Sequence, residues 1–159
     1  MPLPAVLLCL VVGVTDGDTL TARCLMPSGS ENVRVRLAEV DAPENAQAFG
    51  KRSRQHLAGV CLRKRAVVRP RSIDQFGRTV GRVECEGVDA ATEQLRAGMA
   101  WVFDDYVVDR RLYSVEAEAR NPGRGLWADR NAIAPWRWRR AAHADSPEQL
   151  RQEPRSGTR

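Results

Sequence analysis

The dipeptide Asp16-Gly17 lies between two runs of aliphatic and β-branched residues, Leu7–Thr15 and Thr19–Leu25. Asp-Gly flanked in this way is a strong short-range signal for a two-residue β-hairpin. The chain is therefore committed early to an antiparallel pair. The turn also sets a register: with Asp16-Gly17 at the tip, Thr15 faces Asp18, and the same count places Cys9 opposite Cys24. Opposed residues lie roughly 4.5–5.5 Å apart at Cα, within reach of a disulfide. A Cys9–Cys24 bridge is favoured over two buried free thiols, and it points to an exported, oxidising compartment. Cys61 and Cys85 are the remaining cysteines, with no comparable geometry to join them. The sequence has no CxxC and only two histidines, which argues against a zinc site.

Further along, Met26–Asn32 reads as a loop and Val33–Glu39 as a strand, with Val33, Val35 and Leu37 on one face and Arg34 and Arg36 on the other. Residues 41–45 form a turn before a helix from about Ala46 to Cys61. Arg65–Arg71 and Arg78–Cys85 read as strands joined through Asp74-Gln75-Phe76-Gly77. Asp89 caps a second helix that Gly98 ends. Ala100–Phe103 is extended, and Arg110–Arg120 is a third helix stopped by Asn121-Pro122-Gly123. Early strands with a closing hairpin and short helices predict a small antiparallel barrel with helices beside it. The domain is expected to span 7–142, and the polar stretch 143–159 to be a disordered tail.

One domain suits 159 residues. The net charge of +5 favours a polyanionic partner, either nucleic acid or an anionic membrane surface. No apolar run reaches the roughly 20 residues of a membrane span, so membrane insertion is not expected. The opening MPLPAVLLCLVVGV imitates the middle of a signal peptide. It lacks a positive start and a small-residue cleavage site, and Leu7–Val14 is read instead as a buried strand.

Three stretches carry candidate chemistry. Asp16-Gly17-Asp18-Thr19 can hold a carboxylate at a rigid strand end, as a hard cation needs; by itself it reads more simply as a solvated turn. The stretch Arg36 to Glu44 (RLAEVDAPE) offers a guanidinium in Arg36, a second carboxylate in Asp41 and a backbone carbonyl at Ala42. Pro43 stiffens the turn, and Glu44 can orient or deprotonate a water. In Asp74-Gln75-Phe76-Gly77-Arg78, Arg78 is a second guanidinium, suited to charge that gathers on a phosphorane-like transition state. Each alone has a bland reading as turn or surface residues.

Together and in this order they resemble the staphylococcal nuclease family. The matching strings are DGDTL (16–20), VRLAEVDAPE (35–44), DQFGRTV (74–80), GMAWV (98–102), EAEAR (116–120), GLW (125–127) and PWRWR (135–139), spread over about Leu8 to Arg140. The resemblance implies a five-stranded oligonucleotide/oligosaccharide-binding barrel with three packed α-helices. It implies a Ca2+ site made by Asp18, Asp41 and the Ala42 carbonyl, with Asp16 near the ion but not bonded to it. Glu44 matches the candidate general base, and Arg36 and Arg78 match the phosphate-binding arginines. The implied substrates are DNA and RNA, single-stranded or denatured by preference, cleaved to leave 3′-phosphate ends by a monomer.

There are departures from the family pattern. Phe76 and Gln75 stand where its best-known member has tyrosine and lysine, and the segment after Glu44 is short. These touch affinity and end preference rather than hydrolysis. Tyr106 is the candidate for base stacking. Trp101 and Phe103 are expected to pack, and Trp127, Trp136 and Trp138 to anchor the C-terminal segment. The basic run Arg137–Arg140 either helps hold a polyanion or is a solvated helix end. His56 and His143 fall into no metal-ligand or catalytic spacing in the sequence and take a bland reading, His56 on a helix flank and His143 in the tail. The alternative function is a non-catalytic nucleic-acid-binding module on the same barrel, against which all five acidic and arginine side-chain positions are filled. A third reading, an exported disulfide-stapled ligand-binding barrel, leaves the paired carboxylates and arginines without a purpose.

Overall fold

The first hairpin forms, but its tip lies one residue beyond the position that Asp-Gly predicts. The computed structural model describes residues 2–144. Strands β1 (Leu7–Asp16) and β2 (Thr19–Met26) turn through Gly17-Asp18, with Asp16 opposite Thr19. Two irregularities, between Val11 and Gly13 and between Val14 and Asp16, each absorb one extra residue of β1, so Cys9 still meets Cys24. Gly17 is needed for close approach: a Cβ there would sit 1.8 Å from Ser53 Oγ and 2.8 Å from the Ala42 Cβ. Both disulfides form, Cys9–Cys24 and Cys61–Cys85.

The predicted loop at 26–32 shrinks to a two-residue turn, because β3 (Gly29–Leu37) pairs with β2 along its full length, from Met26–Gly29 to Thr19–Arg36. There follow β4 (Val40–Asp41), β5 (Arg65–Ile73), β6 (Thr79–Cys85), β7 (Val88–Asp89) and β8 (Trp101–Val102). The main sheet runs β3-β2-β1-β5-β6-β7, and a parallel pairing of β3 with β6 closes it. The result is a closed five-stranded barrel of β1, β2, β3, β5 and β6, as the family resemblance implies. The short pair β4–β8 lies outside it.

The barrel wall alternates as a half-buried strand must. Leu7, Cys9 and Val11 of β1 are buried, whereas Leu8, Leu10 and Val12 are exposed. The expectation of a wholly buried first strand is thus corrected: only one face of β1 meets the core. Val11, Leu20, Val35, Leu37, Val68 and Val83 are buried in that core together with Leu57, Leu95 and Leu112 from the helices.

Among the described residues there are four α-helices rather than the three expected. They are α1 (Gly50–Cys61), α2 (Ala90–Arg96), α3 (Leu112–Arg120) and α4 (Pro135–Ala144). Helix α1 starts later than predicted because the chain folds back on itself before it. Phe49 adopts φ 66°, and a Cβ at Gly50 would meet the Glu44 carbonyl oxygen at 1.8 Å. Asp89 caps α2 by accepting from Thr92 N at 2.9 Å, as predicted. The added helix α4 opens with Pro135, a residue suited to the first helical position, where its missing N–H is no loss. The predicted tail lies outside the described residues from 145 on, and 143 and 144 belong to α4.

Candidate active site

The end of the first hairpin, the turn after β3, the start of β6 and the face of α4 converge on one cleft of about 1030 Å³. Asp16, Asp18, Arg36, Asp41, Glu44, Arg78 and Tyr106 all line it. Positions far apart in the sequence, from Asp16 to Arg139, are thereby brought together.

Asp18 is buried at the hairpin tip and locks the next segment. Its Oδ2 accepts from Ala42 N at 2.8 Å and its Oδ1 from the Thr19 hydroxyl at 3.0 Å. Gly17, just before it, has its carbonyl held by Gln94 Nε2 of α2 at 2.7 Å. Gln94 is fully buried and also donates to Ser53 O of α1 at 3.0 Å, while its Oε1 lies 2.5 Å from His56 Nδ1. His56 thus supports the network that fixes the acidic turn.

Arg36 leaves the outer face of β3 and folds over the start of β4. One terminal nitrogen donates to the carbonyls of Leu37 and Val40 at 2.6 and 2.7 Å. The other faces Asp41 Oδ1 at 3.1 Å and Asp18 Oδ2 at 3.5 Å. A single guanidinium therefore spans both carboxylates. Arg78 is held by its own turn: Asp74 Oδ2 accepts from its Nε at 2.7 Å and Asp74 Oδ1 from its backbone N–H at 3.0 Å. The Phe76 ring lies under the Arg78 guanidinium at 5.3 Å. Arg78 is thereby aimed into the cleft with its terminal nitrogens largely free of ion pairing.

The carboxylates repel one another at close range. Asp16 is pushed up to about 7, first by burial and then by the Asp18 charge. Asp41 is raised to about 6 by burial, against the pull of its bond from Arg139. Asp18 is the member held below the usual range: burial pushes it up, but the Arg36 charge and hydrogen bonds from Asp16 and Ala42 outweigh that. The cleft lining carries the carboxylates of Asp16, Asp18, Glu39, Asp41, Glu44 and Asp74 against the guanidiniums of Arg34, Arg36, Arg78 and Arg139. Glu39 is paired by Arg71 and Arg82 from outside the lining, and Asp16 is partly neutral at pH 7, so the acids and guanidiniums of the cleft come close to balance.

The donor set fits a hard cation. Asp18 and Asp41 offer carboxylate oxygens and no histidine or cysteine lines the cleft, while Ala42, whose N–H binds Asp18, is not among the lining residues. Among the described residues no three His, Cys, Asp or Glu side chains gather into a metal cluster. Protein oxygens would thus supply only part of a coordination shell, and water or substrate the remainder.

Tyr106 is exposed at the mouth, with its ring 4.7 Å from Phe103. Phe103 stacks on Trp136 at 5.5 Å, and Trp101 packs against Trp127 and Trp136 at 4.3 and 5.7 Å. These rings pin α4 to the short β4–β8 pair, the anchoring role expected of the tryptophans.

Two cleft residues were missed in the sequence. Glu39 lies 2% exposed at φ 70° and ties together the chain at 108–109 and two arginines. Nothing marks it in advance beyond a charge at the end of a strand. Arg139 comes from the basic run and fits neither of that run's two readings: it points inward to Asp41 and Glu44. Pro135 at a helix start would have signalled α4 and put Trp136 and Arg139, three apart, on one face.

A profile described as "Staphylococcal nuclease homologue" matches residues 34–129. That span includes Arg36, Asp41, Ala42, Glu44 and Arg78, and it leaves out Asp16, Asp18 and Arg139. The chain is 38% identical over 143 residues to a micrococcal nuclease of Shigella flexneri, covering 83% of this chain and 80% of that one. It is 39% identical over 132 residues to an uncharacterized endonuclease of Haemophilus influenzae, covering 83% and 72%. A probable staphylococcal-like nuclease of Oryza sativa subsp. japonica is 38% identical over 107 residues, 67% of this chain and 29% of the plant protein.

Proposed function

The chain belongs to the staphylococcal nuclease homologue family, and from that premise and the chemistry of the cleft we propose that it is a calcium-dependent nuclease that hydrolyses phosphodiester bonds of DNA and RNA. The observation that carries the reading is the combination, in one cleft, of the guanidiniums of Arg36 and Arg78 with the buried carboxylate pair Asp18 and Asp41 and the carboxylate of Glu44. A calcium ion held by Asp18, Asp41 and the Ala42 carbonyl would polarise the phosphate and offset the charge that builds on it.

The protein's own groups divide the remaining work. Arg36 and Arg78 bind the scissile phosphate and neutralise charge that builds on its equatorial oxygens. Glu44, at the edge of the cleft, orients a water and takes its proton as the water oxygen bonds to phosphorus. The bond from phosphorus to the 5′-oxygen breaks, that oxygen leaves with the electron pair and takes a proton from solvent to become the 5′-alcohol, and a 3′-phosphate end remains. Asp16 and the Gln94 network keep Asp18 in place. Tyr106 and Phe76, both exposed at the mouth, offer faces on which bases of a single strand can stack, so sugar and sequence are read only weakly. The protein acts as a monomer in an exported compartment, which its two disulfides suit.

The test is cleavage of denatured DNA and of RNA by purified protein, in calcium and again in excess EGTA. Degradation of both polymers in calcium only is expected, with turnover of Arg78→Ala lower by roughly 10²–10³. Retained binding to single strands without cleavage would replace this reading with a non-catalytic binding module.

A further inference from the structure

Arg139 bonds both oxygens of Asp41, Oδ2 at 2.6 Å and Oδ1 at 3.1 Å, and also Glu44 Oε1 at 2.7 Å. Asp41 Oδ1 receives Arg36 as well, at 3.1 Å. An ionised carboxylate has about four acceptor positions, and here three are directed at guanidinium donors. The oxygens a divalent ion needs from Asp41 are therefore the ones Arg139 holds. Two cations on the same carboxylate edge would stand at contact distance and repel.

Arg139 is not required to dock its helix. Trp136 of α4 already packs against Phe103 and Trp101, and the Arg139 side chain remains 35% exposed. A fork-shaped cation placed on two of the site's three working acids, from a helix anchored by other means, is placed for the site's chemistry.

We propose that Arg139 is a resident counter-cation of the active site, which balances Asp41 and Glu44, competes with the calcium ion for Asp41, and supports Glu44 once Asp41 has been given up. This inference rests on the calcium reading above. It adds a positioning residue from outside the matched family span, and it makes calcium affinity depend on an arginine that is not a ligand.

Calcium binding to the intact protein without substrate, followed by titration calorimetry, is the test. Arg139→Met is expected to bind calcium about tenfold more tightly, because the competing cation is gone. Its turnover at saturating calcium is expected to fall, because Glu44 loses its support. Arg139→Lys keeps the charge but not the two-pronged contact and should fall between. Arg34 lines the same cleft without reaching Asp41, so Arg34→Met reports the effect of charge alone and should shift affinity less. Unchanged or weaker calcium binding by Arg139→Met, or an equal shift in Arg34→Met, would overturn the proposal. Asp18→Asn separates the two claims. If it alone loses calcium binding, the metal reading stands whatever Arg139 does. If the unmodified protein binds no calcium and cleaves in EGTA, the functional reading itself has failed, and this inference with it. Thermal unfolding of each variant establishes that it is folded.

Discussion

Glu39 adopts a left-handed backbone conformation, φ 70°, that a side chain normally makes unfavourable by roughly 1–2 kcal/mol. The surroundings explain why it is tolerated. Glu39 Oε1 accepts from the backbone N–H of Val108 and of Asp109 at 2.6 and 2.7 Å, and Oε2 faces Arg71 at 3.3 Å and Arg82 at 3.7 Å. One carboxylate thus fixes the segment that follows Tyr106. Removing it strands two N–H groups and leaves Arg71 without this partner, while Arg82 keeps Asp89 and Asp109, so Glu39→Ala should lose about 3 kcal/mol at pH 7. Glu39→Gly should lose less, since glycine accepts this φ freely. Burial pushes the Glu39 pKa up, but the two N–H bonds and Arg71 outweigh it and hold it below 4.5. Its contribution is therefore present above the ordinary glutamate range and lost as pH falls through the lowered value. Urea unfolding of the unmodified protein and Glu39→Ala at pH 7 and pH 3 checks this: the gap should narrow in acid, and a constant gap would refute the electrostatic account. Asp18, Arg36, Asp41, Glu44 and Arg78 were legible as candidates only as a set, through the family resemblance, because each alone reads as a turn or surface residue. Glu39 and Arg139 were not, because their partners stand 69 and 98 positions away and no local pattern points to them.

At the scale of elements, hairpin and cap signals located most strands and α2, while the starts of β3 and α1 and the whole of α4 escaped them. Polar Gly29–Asn32 reads as loop, yet pairing with β2 overrides that preference. The Asp-Gly turn shows the same override. Propensity suggested a glycine chosen for its φ, whereas packing demands one that lets the hairpin tip lie against α1. Gly17→Ala is therefore expected to act through α1 and not through the turn's own conformation. Its Cβ would force Ser53 away, breaking the Gln94 clasp and loosening Asp18 from Ala42 N. Stability should fall by about 1–3 kcal/mol, as overpacking does. Turnover should fall more than tenfold, because misplacing a site group by about 1 Å is enough for that. Thermal unfolding alongside single-strand cleavage measures both. Lost stability with full activity would mean that the tip is not held by α1.

Across the whole molecule, a net charge of +5 surrounds a cleft whose own lining is richer in acids. The outer arginines can draw in a polyanion, and the proposed calcium ion would sit among the acids at the centre. Stability at this scale depends on covalent staples. Cys9–Cys24 clasps neighbouring strands, and Cys61–Cys85 ties the end of α1 to β6, so the helix carrying Ser53 is fastened to the barrel. By loop length the two bridges, with separations of 15 and 24 residues, should each contribute about 3 kcal/mol. Their sum is comparable with the whole stability of a domain this size, roughly 5–15 kcal/mol. The reduced protein should therefore be close to unfolded at 37 °C, whereas the oxidised one is folded, as thermal unfolding with and without a thiol reductant would record. The double variant Cys61→Ala/Cys85→Ala should retain one bridge, lose about 3 kcal/mol and keep its turnover per folded molecule, since neither cysteine lines the cleft. A folded double variant with impaired turnover would mean that the α1 staple sets the geometry of Gly17 and Asp18, and that oxidation state governs activity as well as stability.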